Sequence, residues 1–171
     1  MSTATSSATH PLPSWNNRSV KTAILDFVEQ ITTEGTAEYL PPQERIATFD
    51  NDGTLWCERP FQVQAYFLLD RVKSITAEKP ELEEQQPFKA LLERDKAMIA
   101  TFGKQELITL FFATHTGMTL EEFQAIAVSW LNTAQHPGFQ QLFKDCVFQP
   151  MRELLDFLKA HGFKNFIVTG G

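Results

Sequence analysis

Ile46-Ala47-Thr48-Phe49-Asp50-Asn51-Asp52-Gly53-Thr54 is the stretch whose conformation decides the fold. Three apolar residues and a β-branched threonine run straight into two aspartates and a glycine. An apolar run of this length, closed by turn residues, predicts a buried strand over Ile46 to Phe49 that ends abruptly at Asp50. A second run of the same kind, Asn165-Phe166-Ile167-Val168, ends in Thr169-Gly170-Gly171. Just before it, Met151, Leu154, Leu155 and Leu158 fall on one helical face. Pro150 suits the first position of that helix, and Gly162 lies just past its end.

Working outward, Val20, Ile24, Phe27, Val28 and Ile31 recur at helical spacing, with Gly35 as a stop. Pro41 and Pro42 then break the chain before the first strand. From residue 60 to about 134 the pattern is helical, with no strand alternation. Val63, Tyr66, Phe67 and Val72 predict one helix; Phe88, Leu91, Leu92 and Met98 a second; Leu107, Ile108 and Phe111 a third. Thr119 with Glu122 forms a capping box and opens a fourth, which carries Phe123, Ile126, Ala127 and Trp130. Pro80, Pro87 and Gly117 punctuate this block, and His136-Pro137-Gly138 closes it.

A strand, a helical insert, a helix and a second apolar strand predict parallel pairing and an α/β fold. The expected organisation is a tail over 1–14, an α/β core from 15–59 and 137–171, and a helical insert over 60–136. Functional groups in parallel sheets gather at the carboxyl ends of the strands. Both polar motifs, Asp50 to Thr54 and Thr169-Gly170, sit at such ends.

The chain has 171 residues, of which 43% are hydrophobic, enough for one sizeable core and too few for two full-size domains. No window is apolar for long enough to span a bilayer. Met1 to Ser14 lacks a basic and an apolar region and does not read as a secretory signal. Cys57 and Cys146 fit no metal or redox spacing, and a cytoplasmic location is expected. A net charge of −6 without a basic block argues against nucleic acid or an anionic membrane as partner. A small anionic substrate remains compatible, since a bound cation can bridge it to an acidic site.

Two carboxylates at i and i+2 beyond a strand tip can converge on one space. A divalent cation offsets their repulsion, and magnesium suits a pair of carboxylates, several waters and a substrate phosphate. One carboxylate can then attack phosphorus, while the other protonates the leaving oxygen and later activates water. Asp50 follows the strand directly and is the better-fixed nucleophile; Asp52 lies on the turn. The same residues also fit a hairpin, with Ile46 to Phe49 pairing to Leu55-Trp56-Cys57 across Asp-Gly. A calcium loop counted from Asp50 fails, because its sixth and twelfth positions hold Leu55 and Phe61 instead of Gly and Glu.

Phe49-Asp50-Asn51-Asp52-Gly53-Thr54-Leu55 resembles the first motif of the haloacid dehalogenase (HAD) phosphatases, Asp-x-Asp-Gly-Thr after an apolar strand. Phe166-Ile167-Val168-Thr169-Gly170 resembles their second. The wording around Asp50, with Trp56, Cys57 and Glu58, is most similar to the phosphoserine-phosphatase-like branch. The resemblance covers about 46–171 and implies a partial Rossmann-like parallel-sheet core with an inserted helical cap. It implies a magnesium-dependent phosphohydrolase of small phosphomonoesters, with an aspartyl-phosphate intermediate. Asp50 would be nucleophile and metal ligand. Asp52 would be general acid/base and bind metal through its carbonyl. Gly53, Thr54, Thr169 and Gly170 would hold phosphate. Dehalogenase members lack an acid at the position of Asp52, so Asp52 favours phosphoryl transfer.

The family's third motif, a Lys, and its fourth, an acidic pair, have no counterpart before Gly171. The expectation is therefore a truncated or split form, poorly active alone, with a second chain as a possible source of the missing core half. The alternative is an inactive HAD-like fragment that serves as a binding or oligomerising module through its sheet edge. A third reading is a helical binding protein in which the Asp-Gly turn is incidental. His115 and His136, near ends of the helical block, read as solvated or capping residues, and His161 suits a helix C-terminus. Glu58 and Arg59 read as a solvated hinge, Trp56 and Phe61 as core aromatics. Lys89, Arg94, Lys96 and Lys104, set among acids, read as a charged helix surface.

Overall fold

The computed structural model describes residues 11–16 and 18–170. The elements in chain order are α1 (Ser19–Thr32), β1 (Ile46–Phe49), α2 (Val63–Glu78), α3 (Phe88–Glu93), α4 (Lys96–Ile99), α5 (Lys104–His115), α6 (Leu120–Thr133), α7 (Gln149–Ala160) and β2 (Lys164–Ile167). Two compact units emerge: one runs up to Cys57 and resumes at Val147, and the other is Glu58–Cys146. Among the described residues no helix is long and apolar enough to cross a membrane.

The first unit is mixed α/β, built on two parallel strands. Ile46 lies opposite Lys164 and Phe49 opposite Ile167. β1 occupies the apolar run quoted at the outset. β2 begins and ends one residue earlier than its apolar run, although Val168 N–H still donates to Phe49 C=O at 2.8 Å. Ala47 and Phe49 turn toward a core made by Val28 and Ile31 of α1, Leu154 and Leu158 of α7, and Phe163. Burying each large apolar side chain of this kind contributes roughly 1.5–3 kcal/mol. The alternate strand positions are uncovered: Ile46 is 58% exposed and Phe166 49%.

A loose tail over 1–14 is not what the described part of that segment forms. Leu12 is 2% exposed and belongs to the core. Lys21 Nζ donates to Leu12 C=O at 2.8 Å, and the Ser14 amide and hydroxyl donate to the Glu153 carboxylate at 2.8 and 2.6 Å. Trp15 Nε1–H donates to Pro150 C=O at 2.7 Å. One apolar side chain and four hydrogen bonds thus dock 11–15 on α1 and α7, despite a polar composition. Positions 1–10, His10 among them, lie outside the described residues.

The second unit is helical. α2 packs on α3 and α5, around buried Val72, Phe88 and Leu110. The apolar spacing from Phe88 to Met98 predicts one helix, but there are two. Arg94 takes a left-handed φ of 56°, and Asp95 Oδ1 accepts the amides of Ala97 and Met98, both at 3.0 Å, as the N-cap of α4. A good N-cap competes with helix continuation. The capping box of α6 is complete: Glu122 Oε2 accepts Thr119 N–H at 2.7 Å, and Thr119 Oγ1 accepts Glu122 N–H at 3.2 Å. Residues 137–146 belong to this unit and not to the α/β core. Phe143 N–H donates to Ala134 C=O at 3.1 Å, and the Phe143 ring stacks on Trp130 with centroids 4.9 Å apart.

Candidate functional site

β1 ends at Phe49, and Asp50 leaves it exposed. The chain then wraps tightly around Asn51, whose C=O accepts the amides of Leu55 at 2.8 Å and Thr54 at 3.1 Å. Gly53 takes a φ of 73°, a left-handed conformation that favours glycine, and its amide donates to Trp56 C=O at 3.0 Å. This geometry overturns the hairpin. β1 pairs with β2 in parallel, while the 51–56 segment closes on itself and then meets Val147 through Trp56.

Two side-chain contacts fix the acids. Thr54 Oγ1 donates to Asp50 Oδ2 at 3.3 Å, a long bond at an exposed position. Trp56 Nε1–H donates to Asp52 Oδ1 at 2.9 Å in a partly buried setting. Asp52 is therefore the better-anchored of the two, the reverse of what position after the strand suggests. The indole N–H is a donor only, and a buried one nearly always finds an acceptor. Trp56 reads from sequence as a core aromatic; the missed signal is its spacing, four residues after Asp52 across a left-handed glycine.

The tips of β1 and β2 lie side by side, because Val168 N–H donates to Phe49 C=O and carries the pairing to the edge of Asp50. Thr169 and Gly170 follow, both exposed. A Cβ on Gly170 would meet nothing within 4 Å, so no close approach from the chain itself demands glycine there. The six residues singled out in the sequence thus fall on two neighbouring strand ends: Asp50, Asp52, Gly53 and Thr54 after one, Thr169 and Gly170 after the other. Among the described residues no cluster of three or more His, Cys, Asp and Glu side chains could hold a metal ion. The available donors are oxygens, and one carboxylate with few protein partners suits a cation that keeps most of its waters.

The histidines meet their expected roles in part. His136 is 2% exposed, not solvated. Its Nε2 bonds to Arg59 C=O at 2.9 Å, and its Nδ1 accepts the amides of Gly138 and Phe139, each at 3.1 Å. His161 does sit at the end of α7, with Nδ1 2.8 Å from Phe157 C=O. His115, in the last turn of α5, stacks on Phe111 at 4.4 Å and packs beside Phe123 at 5.1 Å.

Burial holds the His115 pKa below its ordinary 6.5; a bond to Phe111 C=O opposes this, and the charge of Arg71 reinforces it. Desolvation thus outweighs the attraction of a helix C-terminus for a cation. The unfolded chain binds a proton at this site before the folded one does. The stability that neutral His115 confers is therefore present above pH 6.5 and lost as pH falls through the depressed folded value. Urea titrations at pH 7.5 and 5.5 are expected to show a loss of stability in the parent that shrinks in His115→Gln.

No protein-family model matches the chain, and no curated protein matches it.

Proposed function

We propose that the chain is a magnesium-dependent phosphohydrolase of the HAD type, with a partial Rossmann-like core and a helical cap, acting on a small phosphomonoester through an aspartyl phosphate. The observation that carries this reading is the parallel pairing of β1 with β2 up to the Val168–Phe49 hydrogen bond, which sets the strand tip bearing Asp50 beside the one leading to Thr169. Two strand ends, one acidic and one hydroxyl-bearing, are what in-line attack on a phosphoryl group asks for.

An Asp50 carboxylate oxygen attacks phosphorus, and the bond from phosphorus to the leaving oxygen breaks. Asp52 gives that oxygen its proton. A water then attacks the phosphoryl group and cedes a proton to Asp52. The bond to Asp50 breaks, inorganic phosphate leaves, and both aspartates regain their starting states. The Trp56 indole N–H steadies the Asp52 carboxylate during this exchange. Thr169 offers its hydroxyl and Gly170 its amide to the phosphoryl oxygens, whereas the Gly53 amide donates to Trp56 C=O and the Thr54 hydroxyl to Asp50 Oδ2, so the sequence-based assignment of those two to phosphate needs those bonds to be exchanged. Magnesium, held by the Asp50 carboxylate and the Asp52 main chain, would supply charge neutralisation.

Beryllium fluoride with magnesium mimics a phosphorylated aspartate and tests the assignment directly. The full chain is expected to gain several degrees in Tm over the metal-free control, since saturating a site at 100 times its Kd adds about 2.7 kcal/mol. Asp50→Asn should abolish the gain, while Asp52→Asn should retain it. An unchanged Tm in the parent chain counts against the reading.

A second reading, a binding module without turnover, draws on the uncovered sheet positions Ile46 and Phe166 and on the open strand edges. It predicts self-association in sedimentation; a strict monomer at high concentration rules it out.

A further inference from the structure

The chain holds two cysteines, Cys57 and Cys146, far apart in sequence. Backbone pairing within the first unit brings them to one place. Trp56 and Val147 form an antiparallel bridge, and on one side of it Phe148 N–H donates to Leu55 C=O at 2.9 Å. In antiparallel pairing each step forward on one strand meets a step backward on the other. The rung on the other side of the bridge therefore sets Cys57 opposite Cys146. Both are thiols, and both are buried, at 6% and 5% exposure.

Directly opposite residues of an antiparallel pair turn to the same face, with Cα atoms about 4.5–5.5 Å apart. A disulfide spans roughly 4.4–6.8 Å between Cα atoms, so the backbone spacing suits one. The Cβ atoms of such a pair start about 4.5–5.5 Å apart and close to roughly 3.5–4.5 Å in a disulfide, a local shift of about 1 Å. Cys146 takes a φ of −80° and a ψ of 41°, so the extended stretch ends there and no further rung resists that shift. The pair also stands where the chain changes unit: it leaves the first after Cys57 and re-enters it at Val147. A bond between the two sulfurs closes a covalent loop that contains the entire helical unit.

We propose that Cys57 and Cys146 are a redox pair, which a peroxide-class oxidant converts to an intramolecular disulfide that fastens the two chain crossings together. One thiolate attacks a peroxide oxygen, the O–O bond breaks, and hydroxide leaves to take up the thiol's proton as water. The other thiolate attacks the resulting sulfenic sulfur, the S–O bond breaks, and a second hydroxide leaves and becomes water in the same way. The two sulfurs together lose two electrons, and the peroxide gains them. Low exposure slows the first attack and selects an oxidant as small as hydrogen peroxide. A dithiol reverses the bond by exchange. This assignment is independent of the phosphohydrolase reading, because it uses neither Asp50 and Asp52 nor Thr169.

The test treats the full native chain, in dilute solution, with hydrogen peroxide. The intact mass is expected to fall by two hydrogens, with the chain still monomeric on a non-reducing gel. Tryptic digestion should yield a peptide pair linked through Cys57 and Cys146 that dithiothreitol separates. The oxidised chain should melt about 5–10 °C above the reduced one, since the bond closes a long loop. Cys57→Ser and Cys146→Ser should each abolish the mass loss and the gain in Tm. Three results overturn the proposal: oxygen addition or intermolecular dimers in place of the linked pair; a native chain that keeps both thiols under conditions that oxidise them in urea; or a linked chain whose Tm does not rise. The parent chain decides the matter even if a serine variant fails to fold.

Discussion

Arg45→Met is expected to cost the α/β unit about 3 kcal/mol, a fall in Tm of roughly 12–24 °C for a unit of this size. Arg45 is 7% exposed, and its guanidinium ties together parts of the chain distant in sequence. Nε donates to Leu40 C=O at 2.8 Å, and Nη1 donates to His161 C=O at 2.8 Å, at the end of α7. Its own C=O accepts Lys164 N–H at 2.9 Å, where β2 begins. Hydrogen bonds from a charged donor contribute about 1.5–3 kcal/mol each, and a cation at a helix C-terminus gains further from the dipole. Methionine fills the space but leaves two carbonyls without their donor. Arg45→Lys keeps the charge but reaches only one carbonyl, and should lose about half as much. Urea denaturation of the three proteins side by side checks the ranking; a Met variant as stable as the parent refutes it.

The second large effect is expected at His136. Replacement by Phe preserves the ring stack on Phe139, with centroids 4.3 Å apart, but removes every polar contact of the imidazole. The amides of Gly138 and Phe139 lose their acceptor, and Arg59 C=O loses its donor. With the amides near the surface, the expected cost is about 2 kcal/mol, the middle of the range for unsatisfied groups. His136→Asn returns an acceptor near the position of Nδ1 and should recover part of it. Hydrogen exchange gives the site-resolved check: the Gly138 and Phe139 amides should lose protection in the Phe variant and regain some in the Asn variant. Because His136 links the first residues of the helical unit to its last turn, a drop confined to 136–140 would mean that the link adds nothing to the unit as a whole.

What the sequence makes legible follows from what periodicity measures. The run Ile46 to Phe49 and the face Met151, Leu154, Leu158 place β1 and α7 where the structure has them, but the expected burial holds for α7 and not for β1, whose Ile46 and Thr48 are exposed and whose Ala47 and Phe49 are only half-buried because one face of the sheet is uncovered. The capping box at Thr119 is equally readable, because both of its partners lie within one turn. The β1–β2 pairing was open to inference only through the order of the elements. What escapes is chemistry set by tertiary distance. Nothing in the composition of 11–14 shows that Leu12 is buried or that Ser14 meets Glu153, 139 residues away. Asp52 and Trp56 are close in sequence, yet their bond depends on a left-handed turn at Gly53 that periodicity does not register.

Among the described residues the sheet is a single ladder of four paired positions. A pair of short strands has little standing of its own in water. β1 and β2 consequently borrow their persistence from Leu154, Leu158, Val28 and Ile31 beneath them. The ladder should open in the same cooperative event that releases α7, leaving no stage at which the acidic tip survives without the helix that holds it up.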